Sequence, residues 1–471
     1  MNPSADFPRW NRRDFLARTA TATAAVAAGA APRLSAQARG ERPPAPDGLT
    51  VLHPRDRIPV GIIIDDSTCL VNLNRFAMPQ FNDAWQGRNA SYHRAWKTWP
   101  AEIPDAFVRR FAEWALDRGV KGKYSIVPYP ACVGRVDRFL PGWTQAELAD
   151  SLRLVRELIT PNWDIHPEMV THTRVIDLRT GQPCPECSLR YMENWEWSAG
   201  ISVDKMTAYL AYALQILKNA GLTCEGLTTP GGFGSRARPQ LAQGTLDAVR
   251  SVFGAEIPHY FRDAYSSGRQ SVAPRVELAS GLDGNDPRCV VSIVACTGDW
   301  TGGWNCVSPG GVDRFITPDL QGGRVVEILN RNEPALMLCH WTGVYWNGQE
   351  LGFTIWREVE RRLRAGYADR ILWMKLAEVA RYWAARELTR ITNVPGGFEL
   401  RAPFACPAFT VAWTAKANAR PPVLEAGGQR TPLRETTNKK DLAPGRWWRD
   451  QDRVLACFDL PQGRSRLRTS A

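Results

Sequence analysis

The chain has 471 residues, which is enough for two or three domains. Its 44% hydrophobic and 23% charged residues are typical of a soluble globular protein. The formal charge of +11 is spread along the chain and no nucleic-acid-binding motif accompanies it. No nucleic-acid partner is therefore expected, and the charge is interpreted as a diffuse bias towards anionic partners.

The N-terminal segment, residues 1–38, has the pattern of a twin-arginine signal peptide. Arg12 and Arg13 precede an apolar run from Thr19 to Ala31, and Ala36-Gln37-Ala38 is a typical cleavage site. The predicted partner is the twin-arginine export machinery, and the predicted location is periplasmic or secreted. The apolar run is too short for a permanent span, so no membrane span is expected in the mature form. The alternative is a disordered alanine-rich tail.

A run of β-branched residues, Val60 to Ile64, ends in two adjacent carboxylates, Asp65 and Asp66. Apolar residues on both faces predict a buried parallel strand. Catalytic groups of α/β proteins lie at the C-terminal ends of such strands. Two buried carboxylates are costly there unless a metal, a cation or a shared proton compensates them. The alternative is a pair of loop-capping aspartates.

Strands and helices alternate along residues 58–390, after a Pro- and Arg-rich linker at 39–57. Strands are predicted at 58–64, 121–128, 163–171, 224–229, near 259, 289–296, 335–339 and 371–374, and helices at 105–118, 144–159, 202–220, 240–253, 325–330, 353–364 and 376–386. Two segments, 69–100 and 177–200, are interpreted as loop insertions. Seven or eight strand–helix units predict an α/β fold with a (β/α)7-like barrel.

The pattern changes near residue 393, where short alternating strands and Pro/Gly turns begin. Residues 393–471 are predicted to form a small β-rich accessory domain that packs on the last helices of the barrel and takes no part in the chemistry. The alternative is a tethered sugar-binding module that uses Trp447 and Trp448.

The chain has eleven cysteines, an odd number, and Cys184 and Cys187 form a lone C-x-x-C pair. An exported protein meets an oxidising compartment, so a local disulfide is one reading of this pair. Free thiols and a metal site remain open as alternatives.

Polar residues recur just after the predicted strands. They are Asp65 with Asp66, His172, Asp299 and His340. Their convergence at one mouth would suit metal-assisted hydrolysis, in which a carboxylate and a histidine hold the metal and the other carboxylate accepts a proton from water. The late histidine would protonate the leaving group. A lone histidine such as His172 is as often structural as metal-binding.

These residues resemble the motifs of the polysaccharide deacetylase superfamily (carbohydrate esterase family 4) over residues 58–385. The motifs are Ile64-Asp65-Asp66-Ser67, Glu168-Met-Val-Thr-His172-Thr173, Asp299-Trp300 and Leu338-Cys-His340. The resemblance implies a (β/α)7 barrel and a divalent metal, expected to be zinc. It also implies a carbohydrate or polysaccharide substrate with a C–N amide or ester bond.

The resemblance further assigns roles to individual residues. Asp65 would be the base and His340 the acid, while Asp66 and His172 would bind the metal. Three residues are expected to contact substrate, namely Asp299, Trp300 and Trp341.

Two positions depart from the family pattern. Ile176 occupies the place of a second metal-binding histidine, and Thr228-Thr229-Pro230 lacks the family's arginine. Asp177 is therefore predicted as the replacement ligand. His166 is a weaker candidate because it would lie near the start of its strand, at the opposite end of the barrel.

Two other function classes remain open. One is a catalytically inactive carbohydrate-binding protein on the same barrel, since loop tryptophans stack on sugars without catalysis. The other is a glycosidase, which would need a second carboxylate roughly 5–9.5 Å from Asp65.

Overall fold

The computed structural model describes residues 39–44, 46–415 and 420–469, so the predicted signal segment lies outside the described residues. The strands are β1 Arg39–Gly40, β2 Thr50–Val51, β3 Ile58–Asp65, β4 Gly122–Ile126, β5 Trp163–Pro167, β6 Ile176–Asp177, β7 Gln182–Pro183, β8 Gly226–Thr228, β9 His259–Ala264, β10 Arg275–Ser280, β11 Arg288–Ala295, β12 Ala335–His340, β13 Ile371–Trp373, β14 Arg390–Val394, β15 Gly397–Ala402, β16 Cys406–Thr414, β17 Val423–Ala426, β18 Gln429–Pro432, β19 Arg434–Glu435, β20 Arg446–Asp450, β21 Arg453–Leu460 and β22 Gly463–Arg468. The helices are α1 Leu73–Ala84, α2 Asp105–Arg118, α3 Gln145–Leu154, α4 Val203–Asn219, α5 Arg238–Phe253, α6 Arg324–Asn330, α7 Trp341–Tyr345, α8 Leu351–Tyr367 and α9 Leu376–Leu388.

The first sheet has the order β12-β3-β4-β5, and β13 pairs with the first residues of β3. All its pairings are parallel. Every residue of β3 is buried, which agrees with the unbroken apolar run in its sequence. Because the strands are parallel, their C-terminal ends meet at one edge and bring Asp65 beside His340.

The second sheet has the order β1-β10-β11-β9-β8, with β8, β9 and β11 parallel and β10 antiparallel to β11. A single bridge between Glu168 and Thr228 links it to the first sheet on one side. On the other side, the Cys296 N–H donates to the Leu336 carbonyl at 2.7 Å. The fold is therefore mixed α/β with one parallel and one mixed sheet, and the described strands do not form the continuous ladder of a closed barrel.

Helix α1 corrects the prediction that residues 69–100 form a loop. Its buried residues recur at helical spacing, and they are Leu73, Asn74, Ala77, Met78, Phe81 and Ala84. Pro79 and several polar residues between the aromatics conceal this pattern in the sequence. By contrast, the capping box at Thr144 and Glu147 is confirmed at the start of α3.

The C-terminal residues form two further sheets, with orders β14-β15-β22-β17-β18 and β19-β20-β21-β16-β2, and the edge strand β2 of the second comes from Thr50–Val51. Helix α9 shares a hydrophobic cluster with these strands, where Tyr382 lies 6.1 Å from Phe409 between ring centroids. The Tyr382 hydroxyl donates to the Leu52 carbonyl and accepts from the Thr410 N–H. These strands therefore pack against the last helix of the preceding region.

Two global features bear on the sequence predictions. All eleven cysteines, Cys184 and Cys187 included, are free thiols in the structure. Among the described residues, none of the helices combines the length and apolar character needed to cross a bilayer.

Candidate metal centre and acid–base groups

Asp66 and His172 both adopt a left-handed backbone conformation, with φ of 62° in each. Such a conformation in a non-glycine residue costs about 1–3 kcal/mol and is concentrated at functional sites. Asp66 directly follows β3, and its backbone N–H donates to Glu168 Oε2 at 2.7 Å. The turn after β3 is therefore tied to the loop after β5, which carries His172.

Asp66, Glu168 and His172 form one buried group of side chains. His172 Nε2 lies 2.7 Å from Asp66 Oδ1 and 3.4 Å from Glu168 Oε1. The three residues are at most 7% exposed, and one ligand atom from each lies within 4.8 Å of the others. The sequence predicts two members of this group, whereas Glu168 stands in the quoted motif without an assigned role.

The group fits a divalent metal. Two carboxylates and one imidazole suit zinc and related first-row metals. Asp66 Oδ1 is buried and lies 2.7 Å from His172 Nε2. Two carboxylates share this one imidazole, and a bound cation would compensate the cost of burying them. Burial raises the pKa of Asp66, but the charges of His172 and His340 outweigh it and lower that pKa.

Glu193 shapes the turn that presents His172. Its fully buried carboxylate accepts the backbone N–H groups of Val170, Thr171 and His172 at 3.2, 3.1 and 2.7 Å. The Tyr209 hydroxyl donates to the same carboxylate at 2.6 Å. Sequence reasoning missed Glu193 because no local motif connects it to a histidine 21 residues earlier.

Asp65 forms a buried ion pair with Lys123 of β4. Lys123 is fully buried and also donates to the Ile64 carbonyl at 2.9 Å and to Ser125 Oγ at 2.7 Å. Burial raises the pKa of Asp65 to about 7, and the positive charge of Lys123 limits that rise. A carboxylate with a pKa near neutrality suits proton transfer at neutral pH.

His340 pairs with Asp299 through Nδ1, which lies 2.7 Å from Asp299 Oδ2. Asp299 also accepts from the backbone and hydroxyl of Thr301 at 2.9 and 2.8 Å, which fixes its orientation. Burial lowers the pKa of His340, but the negative charges of Asp66 and Asp299 outweigh it and raise the pKa to about 10. The structure therefore places Asp299 as the partner of His340, which leaves Nε2 of that ring to face the site.

The two tryptophans predicted to bind substrate lie in packed surroundings. Trp341 is fully buried and packs on Phe107 and Phe111, with ring centroids about 5 Å apart. Trp300 is 7% exposed and lies against Phe315 and Arg314. Neither indole is presented as an open stacking surface, because strand-end residues can point into the core as well as towards the mouth.

Asp177 is not brought to the Asp66 group. It ends the short strand β6, and its carboxylate pairs with Arg179 at 3.1 Å in a half-exposed turn. Ile176, at the family's second histidine position, is buried. Glu168, the first residue of the quoted motif, supplies the third potential ligand in the structure.

A group of aromatic rings lies beside His172, buried in the case of Phe81 and half-buried in the others, and we call it the aromatic wall. Phe81 of α1 lies 6.3 Å from the His172 ring. The other members, Trp85, Tyr92, Trp195 and Trp304, contact one another or Phe81 at 5.2–6.5 Å. The two segments predicted as insertions, with Trp304 from the loop after β11, thus place aromatic rings next to the candidate metal centre.

No family model matches the chain, and a comparison with curated proteins finds no relative. Solved structures with some likeness include a probable polysaccharide deacetylase from Pseudomonas aeruginosa PAO1, with 10% identity, a TM-score of 0.37, and coverage of 70% of this chain and 91% of that one. A mutant of a carbohydrate esterase family 4 pseudoenzyme with restored activity has 12% identity, a TM-score of 0.26 and 67% coverage of both chains. An Anoxybacillus alpha-amylase has 8% identity, a TM-score of 0.28, and coverage of 88% of this chain and 98% of that one. At these TM-scores the superpositions are too loose to assign a function, which must come from the site itself.

Proposed function

We propose that this chain is an exported, metal-dependent hydrolase, similar to polysaccharide deacetylases, that cleaves an amide or ester on a carbohydrate. The observation that supports it best is the joint arrangement of three groups at one edge of the first sheet. These are the ligand group of Asp66, Glu168 and His172, the Asp65–Lys123 pair and the His340–Asp299 pair.

Asp66, Glu168 and His172 would hold the divalent metal, with zinc as the expected ion. When bound, the metal would supply Lewis-acid polarisation of the scissile carbonyl. Glu193 would keep His172 in its ligating position through the backbone of its turn. Holding three ligands on a fixed backbone reduces the ordering that binding would otherwise require.

Asp65 would act as the general base. Lys123 engages Oδ1, so Oδ2 is the oxygen left to accept a proton from the attacking water. The water oxygen then bonds to the carbonyl carbon. Because the pKa of Asp65 is about 7, the carboxylate is substantially ionised at neutral pH and remains a competent base.

His340 would act as the general acid. Nδ1 is held by Asp299, so Nε2–H can donate its proton to the leaving nitrogen or oxygen as the bond to the carbonyl carbon breaks. The products are a free carboxylic acid and an amine or hydroxyl on the sugar. A pKa of about 10 keeps this imidazole protonated at neutral pH.

The aromatic wall is consistent with a carbohydrate, because rings of this kind stack on the apolar faces of sugars. The same wall would serve the alternative function, a carbohydrate-binding protein without catalysis. The buried Asp65 and the His340–Asp299 pair beside the ligand group support the hydrolase, because a pure binding protein would not need them. We therefore favour the hydrolase.

The seven strands β3, β4, β5, β8, β9, β11 and β12 would make up a (β/α)7-like barrel within residues 58–390, and residues 393–471 would be an accessory β domain. The chain would be exported by the twin-arginine machinery and act in the periplasm or outside the cell.

The test uses the mature protein, residues 39–471, reconstituted with Zn²⁺. Acetate release is measured from N-acetylated and O-acetylated oligosaccharides, together with binding of the same ligands by calorimetry. We expect acetate release that a chelator removes and that Asp65→Asn reduces strongly. Binding without acetate release from any of the ligands bound, in a zinc-loaded protein, would instead support the binding-protein alternative.

A further inference from the structure

A second group of potential ligands lies inside the protein, away from the Asp66 group. His166 of β5 and His259 of β9 are both fully buried, and their Nε2 atoms are 3.0 Å apart. Asp164 precedes His166 by two residues, so both side chains point to the same face of β5. One ligand atom from each of the three residues lies within 4.8 Å of the others.

Gly226 of β8 leaves room between the two rings. A Cβ at this position would lie 2.5 Å from His259 Nε2 and 2.7 Å from His166 Nε2. Any side chain here would collide with the very nitrogens that face each other. The space on which both Nε2 atoms converge is therefore kept open by the backbone of a third strand.

The outer nitrogen of each ring has its own partner. His259 Nδ1 faces the Ile257 carbonyl at 3.5 Å, and a carbonyl only accepts, so a proton on Nδ1 would leave the lone pair of Nε2 for a metal. His166 Nδ1 lies 3.3 Å from Thr228 Oγ1, which can accept in the same way. Metal-binding histidines typically donate their second N–H to a carbonyl or hydroxyl.

The spacing suits a metal ion. Two nitrogens bound to one tetrahedral zinc at about 2.0–2.1 Å lie roughly 3.3 Å apart, close to the separation seen between these rings. Two imidazoles and a carboxylate are ligands that divalent first-row metals accept. Asp164 accepts the Ala377 N–H through Oδ2, so its other oxygen is left for an ion.

Asp164 also provides a route to solvent. It lines a cleft of about 840 Å³ at the N-terminal ends of the strands, together with Glu225, Lys375 and Ala377. This basal cleft lies at the opposite end of the strands from Asp65. Register places His166 beside Ser125, a hydrogen-bond acceptor of Lys123, so this cluster lies beneath the Asp65–Lys123 pair.

We propose that Asp164, His166 and His259 form a second, structural site for a divalent first-row metal, reached from the basal cleft. The ion would join β5 to β9 and, through Asp164, to the start of α9. It is separate from the ligand group of the proposed hydrolase, and each site can be removed without the other.

The experiment measures zinc content by mass spectrometry after reconstitution and desalting of residues 39–471. All variants carry Cys184→Ser and Cys187→Ser, because half-buried thiols can bind zinc. We expect two equivalents in this parent, one in His172→Gln, one in His259→Gln and none in the double variant. A parent value of one that His172→Gln abolishes and His259→Gln leaves unchanged would overturn the second site.

Two further measurements cover a His259→Gln variant that does not fold. Asp164→Asn keeps an acceptor for the Ala377 N–H but removes the carboxylate. It should therefore lower the zinc affinity of this site at least tenfold. In His172→Gln, added Zn²⁺ should raise the melting temperature, because ligands of the folded state stabilise it. Identical zinc binding in Asp164→Asn and parent, with no thermal shift in His172→Gln, means that the two histidines are merely hydrogen-bonded and refutes the proposal.

Discussion

His340 is the direct cross-strand partner of Asp65 in the parallel ladder between β12 and β3. Paired residues on neighbouring strands point to the same face, so the ladder fixes the two side chains side by side at one mouth. Their surroundings give the two side chains different pKa values, about 7 for Asp65 and about 10 for His340. Such separation is how enzymes assign base and acid roles to neighbouring groups.

Replacement of Asp65 by Asn should abolish proton abstraction while leaving the metal ligands in place. We expect turnover to fall by about 10²–10⁴-fold, the usual contribution of general base catalysis, with zinc content unchanged. Asp177→Asn is the matched control, since its carboxylate pairs with Arg179 in a half-exposed turn. A loss of zinc or activity in Asp177→Asn would instead restore that residue as the missing ligand.

Asp299→Asn should act through His340. Burial lowers the pKa of His340, and the Asp299 carboxylate is one of the charges that raise it to about 10. Removing that charge lowers the pKa of His340, so this acid loses its proton at a lower pH. The alkaline limb of the pH–rate profile therefore shifts to lower pH. The profile of kcat against pH measures this shift. An unchanged alkaline limb would show that His340 is not the titrating acid.

Glu193→Gln should destabilise the fold and the metal centre together. The amide has one oxygen for three backbone N–H donors and the Tyr209 hydroxyl, so buried donors lose their partner. We expect a loss of about 1–3 kcal/mol in the free energy of unfolding, measured by urea denaturation. The exposed neighbour Glu196→Gln is the control and should change stability by less than about 0.5 kcal/mol.

His53 should make the fold less stable in mild acid. Burial lowers its pKa from 6.5 to about 4, while its Nε2–H donates to the Asn332 carbonyl at 2.9 Å. Between those pH values the unfolded chain binds more protons than the folded one, so stability falls as pH drops from 6.5 towards 4. The most that His53 can contribute is about 3 kcal/mol.

The corresponding measurement compares urea midpoints at pH 7 and pH 4.5. His53→Gln keeps an N–H donor for the Asn332 carbonyl but cannot titrate, so it should lose less stability on acidification than wild type. His93→Gln, at an exposed position, should behave like wild type. Equal acid sensitivity in His53→Gln and wild type would exclude this role for His53.

The sequence was most informative about candidate site residues that directly follow a strand. Asp65, Asp66, His172 and His340 stand just after apolar runs, and parallel strands bring such positions to one edge whatever the intervening loops do. Helix boundaries marked by caps were similarly accessible, as the match over Asp105–Arg118 shows. These features depend on local pattern alone.

Lys123 and Glu193 could not be found in that way. Lys123 lies inside a strand, and only the three-dimensional pairing with Asp65 explains a fully buried lysine. Glu193 belongs to an insertion and acts on a turn far from it in the chain. Asp177 was predicted as the third metal ligand because it follows Ile176 in the sequence. In the structure, Glu168 is the third potential ligand beside Asp66 and His172.

The central claim is that Asp66, Glu168 and His172 hold a divalent metal, and Glu168→Gln tests it most directly. Calorimetric titration with Zn²⁺ compares this variant with its parent, both carrying Cys184→Ser and Cys187→Ser. Loss of one carboxylate ligand should lower the affinity for one equivalent of zinc at least tenfold. The fold, followed by circular dichroism, should be retained. Zinc isotherms that coincide for the folded variant and its parent would contradict the account.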